Sequence, residues 1–365
     1  MDMSALIDLL YELIAIDTTS GRTEAQRQLQ ALVAARLIEQ DSRLGALTSS
    51  STAGFPWTLV YTKAQGPYLV FACHVDTVPV GNQSEWDHPP FSAVTIDENV
   101  YGRGTADMKG GLVAAAGALL HAAALGKSVA LLLTSDEEIG SLGAADAARS
   151  LKTFRVGAVI IPEATNNEIV TGHRGALWLQ VRASGRAAHG STPAKGENAA
   201  LKLITVLERA QKQLPLSSNA RLGPETWNLG MLSSGTAPNI VPAAAAATID
   251  MRTADTGDVL LAWWQAQTEL TSVDFILRLP ALRTDPSDPW LSTLPANVSE
   301  DSAPYFTDGS VLSHFLPNTP VIVWGPGTPS QMHALNEHIP LLSLGTAIEN
   351  FRQAVSDWQP LPPTA

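Results

Sequence analysis

Tyr68-Leu69-Val70-Phe71-Ala72-Cys73 is an unbroken apolar run that leads straight into His74-Val75-Asp76-Thr77-Val78-Pro79. A short run of this kind, without alternation, is what a strand of a parallel sheet looks like when both of its faces are covered. His74 and Asp76 stand two apart at its end and so point to the same side. There a carboxylate can hold the imidazole in one tautomer while the other ring nitrogen binds a metal. Taken in isolation, the pair reads first as a buried, hydrogen-bonded histidine.

Similar runs recur at 58–61, 129–133 and 156–161, and again in Val321-Ile322-Val323-Trp324. Stretches of helical character separate them. Leu6, Leu9, Leu10, Leu13 and Ile14 recur at helical spacing and form one buried stripe. Thr23 followed by Gln26 has capping-box spacing ahead of a periodic stretch to about Ile38, and 111–125 and 342–358 supply further helices. Strands alternating with helices predict an α/β layer with a largely parallel sheet.

From His173 the texture changes. Trp178-Leu179-Gln180-Val181-Arg182 alternates, and the predicted elements run strand, helix (198–213), strands (227–232 and 243–251), helix (258–270), strand (274–279). That order suits a small α+β sandwich inserted into the first domain. The α/β texture returns from about Leu282. The expected organisation is a discontinuous first domain at 1–172 and 284–365 with an inserted domain at 173–283. Trp263-Trp264 reads as packing of the inserted domain, and no fixed-period repeat is visible.

A length of 365 residues also suits two domains, and 45% hydrophobic with 16% charged residues is an ordinary globular profile. Lys and Arg number 23 against 35 Asp and Glu, a net charge of −12, so no polyanion-binding surface is implied and nucleic acid is excluded as a partner. Cys73 is the single cysteine, so any metal must sit on His and carboxylates. The N-terminal segment carries Asp2, Asp8 and Glu12 and no basic n-region, unlike a signal peptide, and no stretch reads as long and apolar enough to cross a bilayer. The expectation is a cytoplasmic protein without a membrane partner.

Four further segments carry chemistry. Tyr101-Gly102-Arg103-Gly104-Thr105-Ala106-Asp107-Met108-Lys109-Gly110-Gly111 looks like a phosphate cradle but lacks the Lys-Ser/Thr of a P-loop and the spacing of a dinucleotide fingerprint. Its Asp107 can instead offer two oxygens to metals, although a helix-entry Asp looks similar. Asp136-Glu137-Glu138 follows an apolar run, and three acids at a sheet end are expensive unless cations or solvent neutralise them. Pro162-Glu163-Ala164 again puts a carboxylate at a strand's carboxyl end, where open α/β sheets place ligands. Gln331-Met332-His333-Ala334-Leu335-Asn336-Glu337-His338 follows the last apolar run. Each segment alone is compatible with structure only. Together they supply two His, three carboxylates and a spare Glu, an inventory that fits two zinc ions bridged by one carboxylate.

In these motifs and their order the chain resembles the dinuclear zinc amidohydrolases that include acetylornithine deacetylase, succinyl-diaminopimelate desuccinylase, aminoacylase and carboxypeptidase. The resemblance implies a zinc-exopeptidase-like catalytic domain with an inserted ferredoxin-like lid, through which two subunits pair as a homodimer. It implies two divalent ions, zinc first and cobalt or manganese as alternatives. His74 and Glu163 would bind one ion, Glu138 and His333 the other, with Asp107 as the bridge. Asp76 would orient His74 and Glu137 would be the general base. In the lid, Gly185-Arg186-Ala187-Ala188-His189-Gly190-Ser191-Thr192-Pro193 places His189 where the family has a histidine that reaches an active site, often the partner's. Asn239 and Arg252 match lid positions that hold substrate, and Thr307 lies in a turn of the returning domain that also meets it. The family's Gly-Glu-Pro is here Pro162-Glu163-Ala164.

The implied reaction is hydrolysis of an N-acyl amino acid by a zinc-activated water, deacetylation ahead of desuccinylation and both ahead of dipeptide or carboxypeptidase cleavage. The non-enzyme alternative is a catalytically silent metal-binding protein of the same fold. The intact Glu137 and five ligands argue against it.

Overall fold

The computed structural model describes residues 1–49, 54–151 and 154–359. The remaining parts of the range expected for the catalytic domain lie outside the described residues. The chain falls into two compact units, one of Met1–Gly172, Arg283–Ala303 and Thr307–Ala365, the other of His173–Leu282 and Pro304–Phe306.

In chain order, helices α1 (Met3–Ile14) and α2 (Thr23–Gln40) precede strands β1 (Leu44–Thr48), β2 (Thr58–Thr62) and β3 (Tyr68–His74). Helix α3 (Gly110–Leu125), β4 (Val129–Thr134), α4 (Leu142–Leu151) and β5 (Val156–Ile161) follow. The second unit holds β6 (Gly175–Ser184), α5 (Ala199–Gln213), β7 (Thr226–Ser234), β8 (Ala244–Thr253), α6 (Asp258–Gln265) and β9 (Ser272–Leu279). The chain then returns with α7 (Gly309–Phe315), β10 (Val321–Val323) and α8 (Leu341–Asp357).

The first unit's sheet has six strands in the order β1-β2-β4-β3-β5-β10. β3 runs parallel to β4 and β5, and β5 to β10, while β1 and β2 form an antiparallel ribbon on one side. All six residues of β4 are buried, as both-face coverage requires. Register puts His74 opposite Thr134 and Ile161 opposite Val323, so the carboxyl ends of the four parallel strands lie along one edge. Gly111, at the start of α3, lets the helix approach the strand-end loop. A Cβ there would sit 1.9 Å from the Pro162 carbonyl oxygen.

Three sequence expectations change. Helix α2 begins at Thr23 with Arg22 as its cap residue, so the capping box is not made; the Gln26 amide is buried and donates instead to Asp136 Oδ1 at 2.8 Å. Helix α6 stops at Gln265, where the chain turns through Gln267 and Leu270 before β9. The segment Thr105–Leu125 is long and apolar enough to cross a membrane, contrary to the sequence reading. Its helix is a core helix, with Leu112, Val113, Ala116 and Leu119 all fully buried.

In the second unit the sheet order is β7-β8-β6-β9, antiparallel throughout, in the β-α-β-β-α-β sequence of a ferredoxin-like fold. Leu177, Leu179 and Val181 alternate inward from β6 and pack with Ile249, Met251, Leu203, Val206 and Trp264. Trp263 stacks edge-on against Trp264 at 5.2 Å, within this core.

Candidate active site

The four parallel strands each deliver part of one cluster. His74 ends β3 and Asp76 follows, Glu137 and Glu138 come after β4, Glu163 after β5, and His333 lies beyond β10. Asp107 stands in an irregular turn, Thr105–Lys109, that opens α3. His74 Nε2 is 2.9 Å from Asp107 Oδ1 and 3.1 Å from Glu163 Oε1. His333 Nε2 is 3.1 Å from Asp107 Oδ2 and 3.0 Å from Glu138 Oε2. Two groups of three result, His74–Asp107–Glu163 and Asp107–Glu138–His333, with the donor atoms of each within 4.8 Å of one another. Asp107 belongs to both, one oxygen toward each histidine.

Like charges this close need a counter-charge. Burial and the Asp107 charge push Glu163 up to about 8 and Glu138 up to about 7. Hydrogen bonds to Asp107 and Glu138 drive His333 up to about 10. Burial alone would raise Asp107, but hydrogen bonds from His333 and His74 hold it below the usual carboxylate range. Burial opposes protonation of His74, yet the Glu163 charge and bonds to Asp107, Asp76 and Glu163 carry it well above its ordinary value. Glu163 Oε2 is buried with no hydrogen-bond partner among the described residues. Imidazoles and carboxylates grouped in threes around a shared aspartate, with a spare buried oxygen, fit a pair of divalent cations.

Glu137 belongs to neither group. It is 4% exposed, its Oε1 has no partner among the described residues, and burial pushes its carboxyl well above the usual range. Asp76 serves three neighbours. Its backbone oxygen is 3.0 Å from His74 Nδ1 while its Oδ1 is 3.5 Å away, so the carbonyl is the closer orienting group. Its carboxylate accepts from the backbone N–H of Glu137 at 3.0 Å and of Glu138 at 3.2 Å, fixing the turn that carries both glutamates. Thr307 is buried, with its Oγ1 accepting from Gly309 N at 3.0 Å.

His189, Asn239 and Arg252 fall in the second unit with local partners. His189 is exposed and its Nδ1 accepts from the Ser191 N–H at 3.1 Å, which in the neutral ring leaves the proton on Nε2. Gly190 N donates to the Asn239 carbonyl at 2.7 Å, joining the two segments. Arg252 Nε is 3.1 Å from Asp250 Oδ1, and its guanidinium stands 5.9 Å from the Phe306 ring centre.

Sequence reasoning gave no role to several buried groups. Lys109 is fully buried, donates to the carbonyls of Leu13 at 2.9 Å and Ile16 at 3.2 Å, and is lowered by burial to about 8. Asp136, the acid beside Glu137, is bound by Gly21 N and the Gln26 amide, both at 2.8 Å. Glu337 is fully buried and grips the Asp107 turn. Its spacing of four from His333 was the available signal.

A parallel-sheet α/β unit whose strand ends gather two histidines, three carboxylates within reach of them and a further buried glutamate defines a metal-dependent hydrolase. Residues 70–357 match the model of peptidase family M20/M25/M40. The chain belongs to this family. It is 30% identical over 308 residues to a succinyl-diaminopimelate desuccinylase of Methylorubrum extorquens, covering 76% of this chain and 80% of that one. A protein of the same name from Maricaulis maris is 28% identical over 306 residues, 77% and 78% of the two chains. Among solved structures, an M20 family metallo-carboxypeptidase from Sulfolobus solfataricus superposes with a TM-score of 0.78 at 20% identity, covering 97% of this chain and 99% of that one.

Proposed function

We propose that the protein hydrolyses the amide bond of a small N-acyl amino acid bearing a free carboxylate. The observation that carries this reading is the pair of ligand groups sharing Asp107, with Glu137 buried beside them and bound to neither. Desuccinylation is the first candidate, because the desuccinylases above are relatives along three quarters of the chain. This reverses the order in which the sequence alone ranked it against deacetylation. Cleavage of a dipeptide or of a carboxy-terminal residue is the second reading, favoured by the fold shared with the metallo-carboxypeptidase.

His74 and Glu163 would hold one divalent cation and Glu138 and His333 the other, with Asp107 between them. Zinc is the first choice, cobalt or manganese the alternatives. When bound, such ions acidify water and polarise the scissile carbonyl. Glu137 takes the proton of the attacking water and returns it to the leaving amine, a role suited to a buried carboxyl whose affinity for protons is raised. Asp76 holds His74 and the 137–138 turn in register. The Nε2–H of His189 is assigned to the tetrahedral oxyanion. Arg252, Asn239 and Thr307 are assigned to the substrate's carboxylate end. The working assembly is a cytoplasmic homodimer joined through the second unit, a reading supported by the exposed apolar side chains Leu229, Met231 and Leu232 on edge strand β7.

The test is a panel of N-succinyl, N-acetyl and dipeptide substrates, assayed after chelation and again after adding zinc, cobalt or manganese. The proposal expects metal-restored cleavage, fastest for an N-succinyl amino acid. Full activity after exhaustive chelation would overturn it.

A further inference from the structure

The glycine-rich approach to α3 has the look of a phosphate cradle, and the structure fills that cradle from within the chain. Gly104 has φ 84°, and it is followed by backbone N–H groups that converge on one point. Successive N–H groups around a left-handed residue form a concave anion site. Glu337 occupies it: Oε2 accepts from Gly104 N at 2.9 Å and from Arg103 Nη1 at 2.8 Å, and Oε1 accepts from Ala106 N at 2.8 Å and Asp107 N at 3.1 Å. Gly102 N donates to the Glu337 carbonyl at 2.9 Å, so backbone and side chain of one residue both hold the turn. At Gly104 the fit is close, since a Cβ would lie 2.7 Å from Thr77 Cγ2.

We propose that Glu337 is a positioning residue for one half of the metal centre, locking the bridging Asp107 and the His333 segment to each other. The inference rests on the two-cation reading above. His74 and Glu163 are placed by the strand ends of β3 and β5, which the parallel ladder holds in register. His333 stands five residues before the nearest ladder, in which His338–Pro340 pairs with Asn99–Tyr101. It lies between strands in a segment without regular structure, at φ 62°, with half of its side chain exposed. Glu337, four residues on, ties that segment to the turn whose carboxylate His333 must face. Loss of the tie therefore acts most on the Asp107–Glu138–His333 group, which loses the hold on two of its three members, and less on the other group, which shares only Asp107 with the turn.

The experiment is a zinc titration of metal-stripped protein by calorimetry, with zinc per chain counted by native mass spectrometry. Wild type is expected to take two ions. E337Q keeps the size of the side chain but turns an amide toward Arg103 and Gly104. It is expected to lose about 10–100-fold in affinity in one binding step and clearly less in the other, the range seen when outer partners of ligands are removed. Adding E337Q to H333A is expected to weaken the remaining step less than E337Q alone weakens the His333 step. Should E337Q fail to fold, E337D keeps the charge one carbon short and is expected to show the same uneven loss. Two unaltered steps, or equal weakening of both, would overturn the proposal while leaving the two-cation reading standing. A wild type that takes no second zinc would instead overturn that reading, and the proposal with it.

Discussion

Replacing Glu137 by glutamine separates proton transfer from metal binding more cleanly than any other change in the cluster. The amide has the shape of the carboxyl and removes only its capacity to take a proton. Nothing that holds the cluster together is lost, because the hydrogen bond Glu137 makes to Asp76 comes from its backbone N–H at 3.0 Å. The change also removes one of several crowded acids, since the charges of Glu138, Asp308 and Glu163 all bear on Glu137. Zinc content is expected to stay at the wild-type value and the fold to be retained. Loss of a general base costs about 10²–10⁴-fold in kcat. At about 1.36 kcal/mol per tenfold this is roughly 2.7–5.4 kcal/mol of barrier. Glu138→Gln is the matched control. Its carboxylate lies 3.0 Å from His333 Nε2 within one ligand group, so this variant is expected to drop to one zinc per chain. The assay pairs amine release with elemental analysis of the same samples. If both variants lost metal equally, or if Glu137→Gln kept more than about a tenth of wild-type kcat, the division between base and ligand would be refuted.

Sedimentation is expected to give a homodimer, with Met231→Asp on the exposed β7 edge shifting it toward monomer; an active wild-type monomer would reject the assembly. Wild type is expected to prefer a free acid over its amide, and Arg252→Ala to lose that preference by about 10–100-fold, the worth of a charged hydrogen bond of roughly 1.5–3 kcal/mol. Equal discrimination by both proteins would leave Arg252 as the partner of Asp250 alone.

The alternation of strands and helices and the residue types gathered at the strand ends were legible in the sequence; the contacts that hold the connecting turns were not. Ligand types are written in the chain, and strand ends announce themselves, so His74, Glu138 and Glu163 stand out after apolar runs. What the sequence hides is pairing between distant segments. Thr23 and Gln26 carry the local pattern of a capping box, but the Gln26 amide is claimed by Asp136, 110 residues away. The run Leu44–Thr48 passes unnoticed because only Leu44 is buried and the strand is held by its register with β2. Local composition likewise made 101–111 look like a nucleotide loop. Glycine content shows that backbone N–H groups will be presented to an anion and leaves open whose anion that is; the answer lies more than 200 residues downstream in Glu337.

That answer bears on how the chain tolerates its acidic centre. Five carboxylates, Asp76, Asp107, Glu137, Glu138 and Glu163, are buried or nearly so at one sheet edge, and each would be expensive there without compensation. The protein uses two separate means of compensation and leaves two oxygens without either. Asp76 and Glu337 spend their charge on backbone N–H groups, which fixes the two turns that carry Glu137, Glu138 and Asp107. Asp107 spends its charge on two imidazoles. Glu137 and Glu163 each keep one oxygen without a partner among the described residues. The first pair are thus the frame, and the uncompensated oxygens are where the frame aims a deficit that a cation or a proton in transit can fill. On this view a frame carboxylate and a working carboxylate differ in one measurable respect. Amidation of the former is expected to alter metal affinity through geometry, whereas amidation of Glu137 is expected to alter rate with geometry intact.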